Sequence, residues 1–152
     1  MAVKKFRYRL EPLLKIRQYR EKERQKEHSA AVHEVVRQKQ ELTALDSSRL
    51  DTLDHQRQQQ VGRFSIAEAL VCSRYLVKLK RQRMAGTGLL HGLEKEAEKK
   101  RRKLVEAARE RKIYELLKEK QQLRHRQAID KQEQKELDEV AVVAFRRNKE
   151  NG

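Results

Sequence analysis

Five histidines (His28, His33, His55, His91 and His125), a single cysteine (Cys72) and the run Gly86-Thr87-Gly88 are the groups whose chemistry would define a site in this chain. None stands in a productive pattern. Two histidines on one helix grip a metal when they lie four apart; His28 and His33 are five apart, and the others are scattered. The Gly-Thr-Gly run lacks the Lys-Ser/Thr that completes a phosphate loop and follows no strand. Cys72 has no base beside it in the sequence and reads as a small helix residue. The residues thus predict no catalytic, metal or cofactor site, and a protein that is not an enzyme.

What the side chains do offer is charge. Lys and Arg number 38 against 23 Asp and Glu, a formal net charge of +15. Such a balance suits acidic partners: nucleic acid, anionic lipid or an acidic protein surface. Yet basic and acidic residues alternate closely, as in Arg20-Glu21-Lys22-Glu23-Arg24, which favours solvated helix faces over a phosphate-binding stripe. The run Lys99-Lys100-Arg101-Arg102-Lys103 is the main exception. That run has no interleaved aromatic residues for base stacking, and zinc-finger, homeodomain and leucine-zipper patterns are absent, so no nucleic acid is expected. One cysteine makes no internal disulfide. Residues 1–10 lack the apolar run of a signal peptide. The longest apolar stretch, 140–145, is far short of the ~20 residues that cross a bilayer. A soluble cytoplasmic chain is expected.

Any such surface must be carried by helices. One proline, five glycines, no tryptophan and 40% charged residues make a composition that favours uninterrupted α-helix. Disorder is the competing reading for so polar a chain, but the apolar residues recur at helical spacing. Val3, Phe6, Leu10 and Leu13 follow a 3-4-3 pattern, and Pro12 is tolerable in a first turn, which starts the long helix near Glu11. Val32, Val35, Leu42, Leu45, Leu50 and Leu53 continue at a mean step near 3.6. A break follows at Val61-Gly62-Arg63-Phe64, and Ser65-Ile66-Ala67-Glu68 reads as a capping box that opens a second helix. The expected architecture is all-α: an elongated antiparallel two-helix coiled coil, or helical hairpin. It forms a single domain over 1–152, with helix 1 at about 6–60, a turn at about 61–65, and a longer helix 2 at about 66–147. Gly86, Gly88 and Gly92 predict a kink or short unwound segment in the second helix.

A turn near position 63 pairs residues whose numbers sum to about 126: Leu50 with Leu76, Leu42 with Met84, Val32 with Leu93, Leu13 with Ile113. A rival register pairs 6–60 with 93–147 and makes 61–92 a separate tip. In the first register, residues beyond about 120 overhang helix 1. Leu137, Val140, Val143 and Phe145 then form an uncovered apolar stripe, which is a binding surface.

Two stretches carry a family resemblance. Phe6-Arg7-Tyr8-Arg9-Leu10-Glu11-Pro12-Leu13-Leu14-Lys15-Ile16-Arg17 resembles the amino-terminal signature of the flagellar export protein FliJ family. Glu110-Arg111-Lys112, through Leu116-Leu117 to Glu133-Gln134-Lys135-Glu136-Leu137-Asp138-Glu139-Val140-Ala141, resembles its carboxy-terminal pattern. The resemblance implies a component of the flagellar type III export apparatus, peripheral to the inner membrane at the flagellar base. It also implies a stalk-like hairpin that binds the hexameric export ATPase, touches the membrane-embedded export gate and helps recycle export chaperones. It further suggests Leu10, Leu13, Arg17, Leu137 and Val140 for the ATPase, and Tyr75 and Leu79 as exposed contacts for the gate, unless these last two seal the coiled coil. Arg7, Arg17 and Arg146 would steer docking. The other readings open at this point are a generic coiled-coil adaptor and a basic nucleic-acid-binding rod.

Overall fold

The computed structural model describes residues 5–63 and 65–150; Val3 and Phe64, counted above in the apolar pattern and the break, lie outside them. Two helices account for nearly all of it: α1, Glu11–Gln60, and α2, Ile66–Glu150. Pro12 sits in the first turn of α1, where a missing N–H loses no helical partner. The Glu11 N–H donates to the Tyr8 carbonyl, closing the turn that leads in. The Glu68 N–H reaches Ser65 Oγ at 3.5 Å, and the Ala69 N–H donates to the Ser65 carbonyl at 3.1 Å, so α2 opens where the capping pattern places it.

The second helix runs unbroken through Gly86, Gly88 and Gly92, with no unwound segment. The reason is local at Gly86. A Cβ there would stand 2.8 Å from Leu42 Cδ2 and 3.0 Å from Gln38 Nε2. The glycine admits a close approach of α1 rather than a bend. Gly88 and Gly92 face open space.

Contacts gather into two units: Met1–Glu21 with Ala107–Gly152, and Lys22–Glu106. In each, α1 and α2 run antiparallel. In the second unit, Gln38 Nε2 donates to the Gly86 carbonyl at 3.2 Å, Arg83 pairs with Asp46 at 2.7 Å and Lys39 with Glu94 at 3.2 Å. In the first, Lys118 pairs with Glu11 at 2.8 Å, Arg111 with Glu21 and Arg17 with Glu110. These numbers sum close to the expected 126, and the rival register, with a free tip at 61–92, is excluded.

The residue-by-residue pairing differs from expectation. Leu13, Val32, Leu50, Met84 and Ile113 are exposed, whereas Leu14, Ala31, Gln38, Leu79 and Ala107 are buried. The covered positions of α1 step by three and four: Leu14, Arg17, Glu21, then Arg24, His28, Ala31, Val35, Gln38, Leu42, Leu45. Those of α2 do likewise through Leu76, Leu79, Gly86, Leu90, Leu93 and Ala97. That is a 3.5-residue repeat, the period of a coiled-coil seam, in place of the 3.6 read from the apolar residues alone. Much of the seam is polar or small, and the stems of its Arg and Lys side chains supply the cover.

Candidate functional site

In the first unit, the residues leading into α1 are fastened to α2. Tyr8 Oη donates to the Tyr114 carbonyl at 2.9 Å, and the Tyr8 side chain is buried. Burial, with help from the charge on Glu11, raises its pKa above the usual tyrosine value. Lys118 Nζ lies 6.0 Å from the Tyr8 ring centroid, and the Phe6 and His125 rings meet at 5.6 Å. Leu14 is 2% exposed and packs at the start of the seam. Neither Tyr8 nor Tyr114 was singled out by spacing, because each is polar at a position where an apolar residue would have signalled the seam.

Arg17 belongs to this fastening. It pairs with Glu110, and its guanidinium lies 5.7 Å from the Tyr114 ring centroid. It is a positioned side chain within the unit. Leu10 is half-buried, and Leu13, one helix position before buried Leu14, is 41% exposed. Around them Arg7, Arg9, Lys15 and Ile16 are exposed. The amino-terminal signature therefore has an inward set, Tyr8, Glu11, Leu14 and Arg17, and an outward set that is basic and apolar.

Further along α2 the cover ends. His125 and Ile129 are half-buried, and every residue from 130 to 150 is exposed. The uncovered segment starts nearer 130 than 120, because Phe6 extends the pairing ahead of α1. Leu137 and Val140 are 70% and 66% exposed, and Phe145 is similarly open. A hundred degrees per residue brings Leu137, Val140, Ala141 and Ala144 onto one stripe.

In the second unit, Tyr75 and Leu79 part company. Tyr75 is 41% exposed; Leu79 is 4% exposed and lies in the seam. The expectation that both are surface contacts fails for Leu79, whose position in the 3.5-residue repeat turns it inward. The basic run 99–103 is partly engaged locally. Arg101 holds Glu98 with two hydrogen bonds of 2.8 and 2.9 Å, and Arg102 adds one at 3.3 Å. Those bonds, Arg101 foremost, hold the Glu98 carboxyl down to about 2. Among the described residues, no cluster of three or more His, Cys, Asp or Glu is placed to hold a metal ion, and no helix is long and apolar enough to cross a membrane.

No curated protein and no solved structure matches the chain. The profile of the flagellar FliJ protein family matches residues 6–150, from the Phe6 that packs on His125 to the last turn of the exposed segment. That span takes in both units and both signature stretches, and the chain belongs to the flagellar FliJ family, a component of the flagellar export apparatus.

Proposed function

We propose that this chain is a non-catalytic coupling factor that binds the hexameric flagellar export ATPase in the manner of a central stalk and assists the recycling of export chaperones. It would act in the cytoplasm, peripherally associated with the inner membrane at the flagellar base. The observation that carries the reading is the uncovered stretch 130–150, a helix that continues past its partner with an apolar stripe and nothing on it. Leu13, Leu137 and Val140 make the apolar contact, with Leu10 at its edge. Arg17, oriented by Glu110 and Tyr114, sets the angle of the start of α1. Arg7 and Arg146, both exposed, steer the approach to an acidic surface. In the second unit, the exposed Tyr75 is the contact for the export gate, and Leu79, buried in the seam, is not part of that contact.

The test is the hydrolysis rate of the cognate export ATPase. The intact chain raises it by promoting ring assembly, and Leu137→Asp abolishes the increase while helicity stays unchanged. An ATPase whose rate and oligomer size do not respond to saturating chain overturns the proposal.

A further inference from the structure

On one flank of the second unit the two helices leave a groove. Its floor is Leu45, Leu53, Leu76 and Leu79, and its rim carries Val77 and Met84, which are 49% and 68% exposed. Arg49, Lys80 and Arg83 stand along it; Asp46 is held by Arg83, and among the described residues Arg49 and Lys80 have no acidic partner. At a hundred degrees per residue, Val77, Lys80 and Met84 lie on the opposite flank of α2 from Tyr75. The groove is therefore separate from the surface assigned to the export gate.

The occupant that fits it is present in the chain itself. Residues 130–150 are helical and exposed, with Leu137, Val140 and Ala144 on one stripe, Glu136 and Asp138 flanking it on either side, and Arg147 near its far end. The stripe from 137 to 148 covers about three turns, and the groove from Ser73 to Thr87 offers about four. Apolar knobs would enter an apolar floor, and the carboxylates of Glu136 and Asp138 would meet the basic rim of Arg49 and Lys80. The α2 wall of the groove and the 130–150 segment are stretches of the same helix, Ile66–Glu150.

We propose that the 73–87 groove receives the 130–150 segment of a second copy of this chain, making a self-associated state in which the segment is covered. The net charge of +15 opposes the approach of two copies. At physiological salt, however, the screening length is about 8 Å, so distant repulsion is muted while the docked carboxylates and guanidinium groups remain in range. Because this docking occupies the segment assigned above to the ATPase, self-association and ATPase binding compete.

Sedimentation of the full chain at about 0.15 M salt reads the result. The mass rises with concentration from the monomer value of 18.1 kDa to at least twice it. Val77→Glu and Val140→Glu change exposed residues, keep the helical circular dichroism and each weaken association at least tenfold, the cost of a charge in an apolar contact. Mixing the two variants recovers a complex with one of each, since one keeps an intact segment and the other an intact groove. Val77→Glu still stimulates the export ATPase, which separates failure of this docking from failure of the coupling role. A chain that stays monomeric overturns the proposal, as does a groove that takes only an added acidic helical peptide. So do a Val140→Glu chain that self-associates normally and a mixture that does not recombine.

Discussion

Tyr8 is held by a single hydrogen bond to a carbonyl on the other helix, and its ring is closed off from water. Tyr8→Phe keeps the ring and removes the hydroxyl, which costs about 1 kcal/mol, the net worth of such a bond. Because burial raises the Tyr8 pKa, the neutral phenol is the form the fold prefers. Its contribution is complete below the ordinary tyrosine value near 10 and disappears as pH climbs through the raised folded value. Thermal midpoints of the native chain and Tyr8→Phe, compared from pH 8 to 12, should converge at the alkaline end. The glycines make a second test at this scale. Gly88→Ala and Gly92→Ala meet nothing within 4 Å and should each stabilise by about 1 kcal/mol through helix propensity. Gly86→Ala must displace Leu42 and the buried Gln38 amide, which donates to the Gly86 carbonyl, so its midpoint should not rise. A rise at Gly86 matching that at Gly88 would show that the close approach of α1 carries no energetic weight.

At the scale of the elements, long helices were legible because breakers are scarce and the one proline falls where a helix tolerates it. The start of α2 was legible in Ser65 and Glu68. The residues of the seam were not, and the cause is physical. A hydrophobicity count follows Val32 and Leu50, but the seam closes over Arg17, Glu21, Arg24, His28 and Gln38, whose polar ends find partners or water while their stems are covered. The register survived because it depends on the turn; the covered positions slipped by one, from Leu13 to the buried Leu14 and from Ile113 to the half-buried Tyr114. At the candidate site, the exposed segment with Leu137 and Val140 was readable from its lack of a partner. The fastening by Tyr8, Tyr114 and Lys118 gave no spacing signal. A paired substitution measures the difference between seam and surface. Leu79→Ala should cost about 2–4 kcal/mol, as truncation of a buried leucine does. Tyr75→Ala should leave the midpoint nearly unchanged while motility falls. A large loss of midpoint for Tyr75→Ala would place it in the seam and remove it from the gate.

For the molecule as a whole, the division of labour along α2 sets the decisive experiment. Up to Ile129 the helix is paired or half-covered; from 130 to 150 every residue is exposed, so this stretch adds little to the stability of the folded pair. Exposed ion pairs and solvated side chains contribute at most a few tenths of a kcal/mol each. A chain ending at 129 should therefore keep its midpoint within about 2 °C, since a change of 1 kcal/mol moves a domain of this size by only a few degrees. Its helical signal should fall only in proportion to the residues removed. The same deletion takes away Leu137, Val140 and the apolar run 140–145, and with them the surface proposed to meet the export ATPase. At concentrations low enough to keep the chain monomeric, the shortened protein should fail to raise ATP hydrolysis and should fail to restore motility to cells lacking the native chain. Unchanged stimulation by the shortened protein would move the ATPase contact to the exposed basic set around Leu13, Lys15 and Ile16. A collapse of the midpoint would mean that the bare end of α2 supports the fold after all.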